Sequence, residues 1–268
     1  SKYDSARRVF EEMNHVSGLI RCLNNMGIIY KNYGKYLEAL DSYQKVIDLS
    51  LRSSDSISLT DTYINIGVVY VRQSDYSNAL ENFNKSLYYA RQTNNKKQES
   101  ISLLNKGVIY YKLQEYEASL DHYMRALEVS RQMGDKVEIS RCLTNIGTNY
   151  ISLGQYDRAE SYIKKALTIK EELGDQRSIA NNYNFLAEVE YYRENFKEAI
   201  ALDMMAIKLK HEVNDPDGLA RCFNTLGRTY LADGQFEQAY RYADSSLHYG
   251  VPIGALEHIT DAYFLQKE

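Results

Sequence analysis

Asn25-Met26-Gly27-Ile28-Ile29-Tyr30, followed by Gly34-Lys35-Tyr36-Leu37-Glu38-Ala39-Leu40, is the stretch whose reading decides the fold. Its markers return every 40 residues. Gly27, Gly67, Gly107, Gly147 and Gly227 keep this spacing, and Ala187 fills the remaining slot. Three residues on stand Tyr30, Tyr70, Tyr110, Tyr150 and Tyr230. Nine on comes an aromatic: Tyr36, Tyr76, Tyr116, Tyr156, Phe196 and Phe236. Twelve on comes a small residue: Ala39, Ala79, Ser119, Ala159, Ala199 and Ala239. Self-similarity at a fixed period of this size marks an array of small supersecondary units.

Between the markers the apolar spacing is helical. In the second copy Ile66, Val69 and Tyr70, then Tyr76, Leu80, Phe83 and Leu87, follow steps of three and four. Short polar breaks such as Gly34-Lys35, Ser74-Asp75 and Gly154-Gln155 divide each copy into helix A and helix B. Gly134-Asp135, Gly174-Asp175 and Asn214-Asp215-Pro216 divide one copy from the next. Each copy is thus predicted to be a helical hairpin. The glycine of helix A is expected to face the small residue of helix B, as Gly27 faces Ala39. One hairpin cannot bury its aromatic faces alone, so the copies stack. The 2 prolines in 268 residues agree with long uninterrupted helices. Average usage would give on the order of a dozen.

These residues resemble the tetratricopeptide repeat family. The first copy, from Asn25 through Tyr30 and Gly34 to Tyr43, and the fourth, from Asn145-Ile146-Gly147 through Tyr150, Gly154-Gln155-Tyr156 and Ala159, carry the likeness. The family's usual repeat has about 34 residues and often a proline ending helix B. The longer period here is like that of a subgroup found in bacterial regulators and scaffold proteins. The resemblance implies an all-α, right-handed superhelical solenoid of antiparallel hairpins over residues 1–268, with six copies over 18–253. Tyr3 and Ala6 align with Tyr43 and Val46, so residues 1–15 read as a helix B without its helix A. Residues 254–268 read as a helix A, with Tyr263 in the register of Tyr63 and Tyr183. The pattern therefore predicts a piece of a longer protein.

The chain carries a net charge of −4, with no long run of one sign. A nucleic-acid binder usually shows a basic patch or a high pI, so nucleic acid is not expected as a partner of this segment. No stretch approaches the roughly 20 apolar residues of a membrane span. The compartment stays open between cytoplasm and periplasm.

Catalytic chemistry has little to work with. Cys22, Cys142 and Cys222 occupy one register of helix A, two or three copies apart. Stacked helices lie about 8–10 Å apart, so no two reach the roughly 7 Å that a disulfide needs. They are expected to be small packing residues. His15, His122, His211, His248 and His258 show no metal spacing. There is no phosphate-binding glycine loop, no nucleophile motif and no zinc-type cysteine pair. The chain is expected to be no enzyme and to take no cofactor or metal.

The fifth copy departs from its siblings. Glu190 stands in the slot of Tyr30, and Asp203 in the slot of Tyr43, Phe83 and Tyr123. Both slots should be largely buried, and an unpaired buried carboxylate is costly. Arg193, Arg221 and Arg228 are the candidate partners. The pair is either structural or part of a polar pocket or hinge.

In the tetratricopeptide family helix A lines the concave face, where an extended peptide or a helix binds. By register that groove would present Ile64, Val68, Val71, Leu104, Val108 and Tyr111 in copies two and three. Copies four to six would present Arg141, Thr144, Asn145, Asn184, Glu188, Tyr191, Tyr192, Arg221, Asn224 and Arg228. Asn25, Asn65, Asn105 and Asn145 form a ladder beside the glycines; each side chain both donates and accepts hydrogen bonds. The expected role is protein or peptide recognition without catalysis, in the sensor part of a larger bacterial regulator. Two alternatives stand: a scaffold or self-association module, with a homo-oligomer as partner, and a peptide-controlled regulator of a phosphorelay.

Overall fold

Helix, three- or two-residue turn, helix is the unit from which the whole described chain is built. In the computed structural model, residues 8–10 and 12–267 are described. Tyr3 and Ala6, which carry the reading of a leading helix B, lie outside them. Residues 8–10 are helical. Thirteen helices follow from Val16 on, and no strand occurs among the described residues. They are α1 (Val16–Asn32), α2 (Tyr36–Arg52), α3 (Ser56–Arg72), α4 (Tyr76–Gln92), α5 (Lys96–Lys112), α6 (Tyr116–Met133), α7 (Lys136–Ser152), α8 (Tyr156–Leu173), α9 (Gln176–Tyr192), α10 (Phe196–Glu212), α11 (Pro216–Ala232), α12 (Phe236–Ile253) and α13 (Leu256–Lys267). The chain divides into two compact units, Ser1–Gly134 and Asp135–Glu268. Each is a stack of antiparallel hairpins of the expected all-α solenoid kind. Within each unit helix B packs on the helix A before it and on the next, and successive A helices touch.

The turns obey a 20-residue rule that residue types hide. Asn14, Gly34, Ser54, Ser74, Asn94, Gln114, Gly134, Gly154, Gly174, Glu194, Asn214, Gly234 and Gly254 all take positive φ. The next residue starts the next helix. At every helix A with a resolved cap, from α1 to α11, this residue is His15, Asp55, Asn95, Asp135, Asp175 or Asp215, and its side chain accepts a backbone N–H of the first turn. Glu194 holds its left-handed conformation (φ 62°) against its own Cβ. Glu194→Gly is expected to raise stability by about 1 kcal/mol. Gly174→Ala, at φ 69°, is expected to lower it by a similar amount, both read from urea midpoints.

The glycine of helix A makes room for a ring. A Cβ on Gly67 would lie 2.5 Å from the Phe83 ring. Gly27 and Gly107 meet Tyr43 and Tyr123 in the same way, and Gly147 meets Ile163 at 2.5 Å. The sequence reading paired the glycine with the small residue 12 positions on. That approach exists, since Ser119 Oγ donates to the Gly107 carbonyl at 2.9 Å. The closest obstruction, however, is the large side chain 16 positions on. In the fifth copy this slot holds Asp203, and the glycine slot is filled by Ala187.

Candidate functional site

Three A helices of the Asp135–Glu268 unit bound a cleft of about 580 Å³. α9 contributes Asn184, Glu188 and Tyr191; α11 contributes Arg221, Asn224 and Arg228; α13 contributes His258 and Phe264. The spacings of three, four and seven in α9 and α11 place each of those two sets on one helix face. Phe185, Leu231 and Leu265 complete an apolar wall. Six of the residues expected on the groove therefore meet in one place.

The floor of the cleft is a buried polar cluster centred on Asp203. Its Oδ1 accepts hydrogen bonds from Asn184 Nδ2 (2.8 Å) and Thr225 Oγ1 (3.2 Å). Asn184 Nδ2 also donates to Thr225 Oγ1 at 2.7 Å. Asp203 is 1% exposed, and its Oδ2 is buried without a partner. The arginines named from sequence are not its hydrogen-bond partners; Arg228 acts on it only through space. Burial pushes the Asp203 carboxyl up to about 8, against the pull of the Asn184 and Thr225 hydrogen bonds and the Arg228 charge. The group is thus neutral at neutral pH in the folded protein and ionised in the unfolded chain. Between about pH 4 and 8 the folded state binds more protons, so this site makes stability fall as pH rises. Asp203→Asn keeps an acceptor for Asn184 and Thr225. It is expected to remove a slope of up to about 1 kcal/mol per pH unit, seen as a variant that gains on the wild type in urea melts from pH 5 to pH 8.

Glu190 has the partner expected for it. Arg193 donates to Glu190 Oε1 at 2.7 Å, and Asn195 to Oε2 at 2.7 Å. The same guanidinium meets Glu160 at 2.8 Å and Asp157 at 2.5 Å. Glu190 is therefore locked at the end of α9 and does not enter the cleft.

Tyr192 stacks on Tyr156 at 5.5 Å between ring centroids, and Tyr191 meets Tyr192 edge-on. The Arg228 guanidinium lies 5.1 Å from the centre of the Tyr191 ring. Arg141 pairs with Glu138 at 3.3 Å, outside the cleft. Thr144 is buried under Lys170, whose Nζ donates to Thr144 Oγ1 (2.7 Å) and Asn182 Oδ1 (2.8 Å). Burial brings the Lys170 ammonium down to about 8. Asn145 is half-buried.

In the Ser1–Gly134 unit the expected apolar stripe is largely wall. Ile64, Val68 and Val71 pack against a core of Ala79, Phe83 and Ile109. Leu104 is buried, Val108 half-buried, and Tyr111 meets Tyr116 edge-on. The hollow on this face, about 490 Å³, is lined mainly by polar groups: Arg21, Asn24, Asn25, Asp61, Asn65 and Gln98. Four of them are already engaged: Asn65 accepts from Lys31 (3.0 Å), Asp61 from Gln98 (2.5 Å), and Asn24 from Thr62 (3.4 Å). Cys22, Cys142 and Cys222 are buried, and none forms a disulfide. No helix among the described residues is long and apolar enough to cross a membrane.

Sequence reasoning missed His258, Phe264 and Thr225. His258 and Phe264 come from α13, where the repeat pattern marks only the start of another copy. Thr225 differs from the ladder asparagines at its register, and that departure was the available signal.

Solved structures share this architecture. The Rap conjugation gene regulator of the plasmid pLS20, in complex with the Phr* peptide, superimposes with a TM-score of 0.70 at 18% identity, over 92% of this chain and 78% of its own. Aspartyl phosphate phosphatase F from Bacillus subtilis gives 0.72 at 14% identity, over 99% of this chain and 76% of its own. A signal transduction ATPase with numerous domains and a tetratricopeptide repeat sensor, from Pyrococcus horikoshii, gives 0.72 at 16% identity, over 92% of this chain and 38% of its own. At such identities the likeness is one of fold. No curated protein matches the chain in sequence. The sequence profile of the tetratricopeptide repeat matches residues 15–92, 98–172 and 178–247. With most of its length matched, the chain belongs to the tetratricopeptide repeat family.

Proposed function

We propose that the protein is a non-catalytic protein-interaction module, and that the cleft between α9, α11 and α13 holds an extended segment of its partner. One observation carries this reading. Asn224 Oδ1 and Arg221 Nε, neighbours on α11 at the cleft, are buried without hydrogen-bond partners. Buried polar groups are ordinarily hydrogen-bonded. An acceptor and a donor one helical turn apart match the N–H and C=O of an extended backbone. The aromatic and apolar wall from Tyr191 to Phe264 offers side chains a dry surface.

The Rap conjugation regulator that shares this fold is in complex with the Phr* peptide, and the Pyrococcus ATPase has a tetratricopeptide repeat sensor. We extend that role to this chain as the sensor part of a larger regulator. The likeness to aspartyl phosphate phosphatase F favours one second reading, a peptide-controlled regulator of a phosphorelay.

The test is selection from random short peptides displayed with their C-termini blocked. Wild-type protein is expected to enrich binders of micromolar affinity. Tyr191→Ala combined with Asn224→Ala is expected to weaken them by about tenfold, roughly 1.4 kcal/mol. Enrichment of nothing, or equal binding by the variant, overturns the cleft as the site. Self-association seen by light scattering and abolished by the same variant would replace it with the scaffold reading.

A further inference from the structure

We infer that the outer face of α10, centred on Met204 and Met205, is a self-association surface on which a second copy of this chain lays its own α10 antiparallel to the first. No residue of α10 lines the cleft between α9, α11 and α13, so this surface is separate from that site.

Helix B of the earlier copies carries a charged pair on its outer face. Asp41–Lys45 in α2, Glu81–Lys85 in α4 and Asp121–Arg125 in α6 lie 2.6, 2.6 and 3.3 Å apart. The same two slots of α10 hold Ala201 and Met205, with Met204 beside them. Both methionines are 46% exposed. Among the described residues α10 packs only on α9 and α11, and no other element covers this face. Apolar area left in water gains free energy when a partner buries it. Methionine is flexible and polarizable, and it fits the irregular surface of a partner.

The stripe is long enough to meet a helix. Lys197, Ala201, Met204, Met205, Lys208 and Glu212 are all exposed. They follow steps of three and four, so they share one side of α10. From Lys197 to Glu212 the rise is about 22 Å.

The order of charges along the stripe selects the partner. Its midpoint falls between the two methionines. A two-fold axis at that point sets Met204 of each copy against Met205 of the other. Lys197 then lies opposite Glu212, twice over, and Glu198 opposite His211. Ala201 lies opposite Lys208. Its small side chain lets the helices approach to about 8–10 Å, and the lysine stem lies along it with the ammonium in water. No like charges face each other. A parallel pair would set Lys197 against Lys197 and Glu212 against Glu212. Neither Lys197 nor Glu212 forms an ion pair among the described residues, so both are open to the second copy. A face that complements itself closes on a two-fold axis and stops at the dimer. Stable interfaces bury roughly 1,200–2,000 Å², more than one four-turn stripe supplies. The dimer is accordingly weak, with a Kd on the order of 50 µM.

Sedimentation velocity of the whole chain from about 5 to about 500 µM brackets that value. The expected result is a monomer that becomes a dimer across the range. Met204→Glu combined with Met205→Glu is expected to stay monomeric throughout, with melting temperature unchanged because both side chains face solvent. Lys197→Glu and Glu212→Lys, each alone, are expected to weaken the dimer about tenfold, since each sets like charges opposite one another at two places. Combined in one chain they restore opposite charges, and the affinity should return to within about twofold of the wild type. Tyr191→Ala combined with Asn224→Ala should leave the dimer as it is. A monomer at every concentration overturns the inference and leaves the face to a different protein. A dimer that survives the methionine change, a charge swap that restores nothing, or growth beyond the dimer overturns it as well. A dimer lost in the cleft variant and kept in the methionine variant moves self-association to the cleft. Failure of peptide selection with the dimer intact removes the cleft reading and leaves this surface standing.

Discussion

Gly67→Ala is expected to destabilise the protein by about 3 kcal/mol, while Gly227→Ala leaves it unchanged or slightly more stable. The two glycines occupy the same slot of the repeat, so composition and helix propensity treat them alike. Alanine in place of an interior helical glycine gains about 1 kcal/mol in propensity. What differs is the slot 16 residues on. At Gly67 the added methyl would lie 2.5 Å from the Phe83 ring, a side chain with no exposure. That ring is clamped in a core with Ala79 and Ile109 and has nowhere to retreat. At Gly227 the matching slot holds Ala243, and the nearest atom is Leu265 Cδ1 at 3.2 Å, the tip of a side chain that can turn. Urea denaturation of the two variants decides the matter. Phe83→Leu should recover part of the loss in Gly67→Ala, because a branched aliphatic chain yields where a ring does not. Equal effects at both sites would mean that the glycine serves backbone approach rather than ring packing.

The same pair of slots shows what the sequence made legible. Five glycines, five tyrosines and six small residues at fixed registers are enough to place every helix A and helix B. They do not say what the glycine faces, because a contact 12 positions on and one 16 positions on both follow a 40-residue period. Ala187 and Asp203 could have decided it, being the one copy in which glycine and large side chain are both lost. The left-handed turn residues were hidden for another reason. Glycine, serine, asparagine, glutamine and glutamate all occupy that position, so only backbone angles reveal the 20-residue rhythm. At the cleft, Asn184, Glu188, Tyr191, Arg221, Asn224 and Arg228 were legible from register together with the family resemblance, which implies that helix A lines the groove. Which of them lack partners was not, since that depends on distances to α13 and to the floor under α9. The stripe of Ile64 and Val68 shows the converse. Its apolar character marked packing between adjacent hairpins as much as an open surface.

Asp215→Ala is expected to cost about 4 kcal/mol, several times the roughly 1 kcal/mol expected for Asp175→Ala. Both residues cap a helix A by accepting a first-turn N–H, from Gly218 at 3.1 Å and from Ser178 at 3.1 Å. The loss of that cap is common to both variants. Asp215 does a second thing. Its Oδ2 lies 2.6 Å from Lys210 Nζ, and Lys210 is 1% exposed. Removing the carboxylate leaves an ammonium buried with no counter-charge, the costly way to break a buried pair. Lys170, in the same register one copy earlier, keeps Thr144 and Asn182 whatever happens to Asp175. Burial alone would raise the Asp215 carboxyl, but the Lys210 hydrogen bond, the Gly218 N–H and the charges of Lys210 and Arg177 bring it below the ordinary value. Its contribution is therefore present above the unfolded carboxylate range, near pH 4, and is lost as pH falls through the lower folded value. Lys210→Met in the Asp215→Ala background should recover most of the stability at pH 7, leaving the cap deficit. Asp215 also fixes the first turn of α11, the helix that presents Arg221, Asn224 and Arg228. Asp215→Ala should thus loosen the cleft as well as the fold, with faster amide exchange across α11 than across α9. A loss no larger than that of Asp175→Ala would show that Lys210 finds water or another acceptor, and that the register of α11 does not depend on this pair.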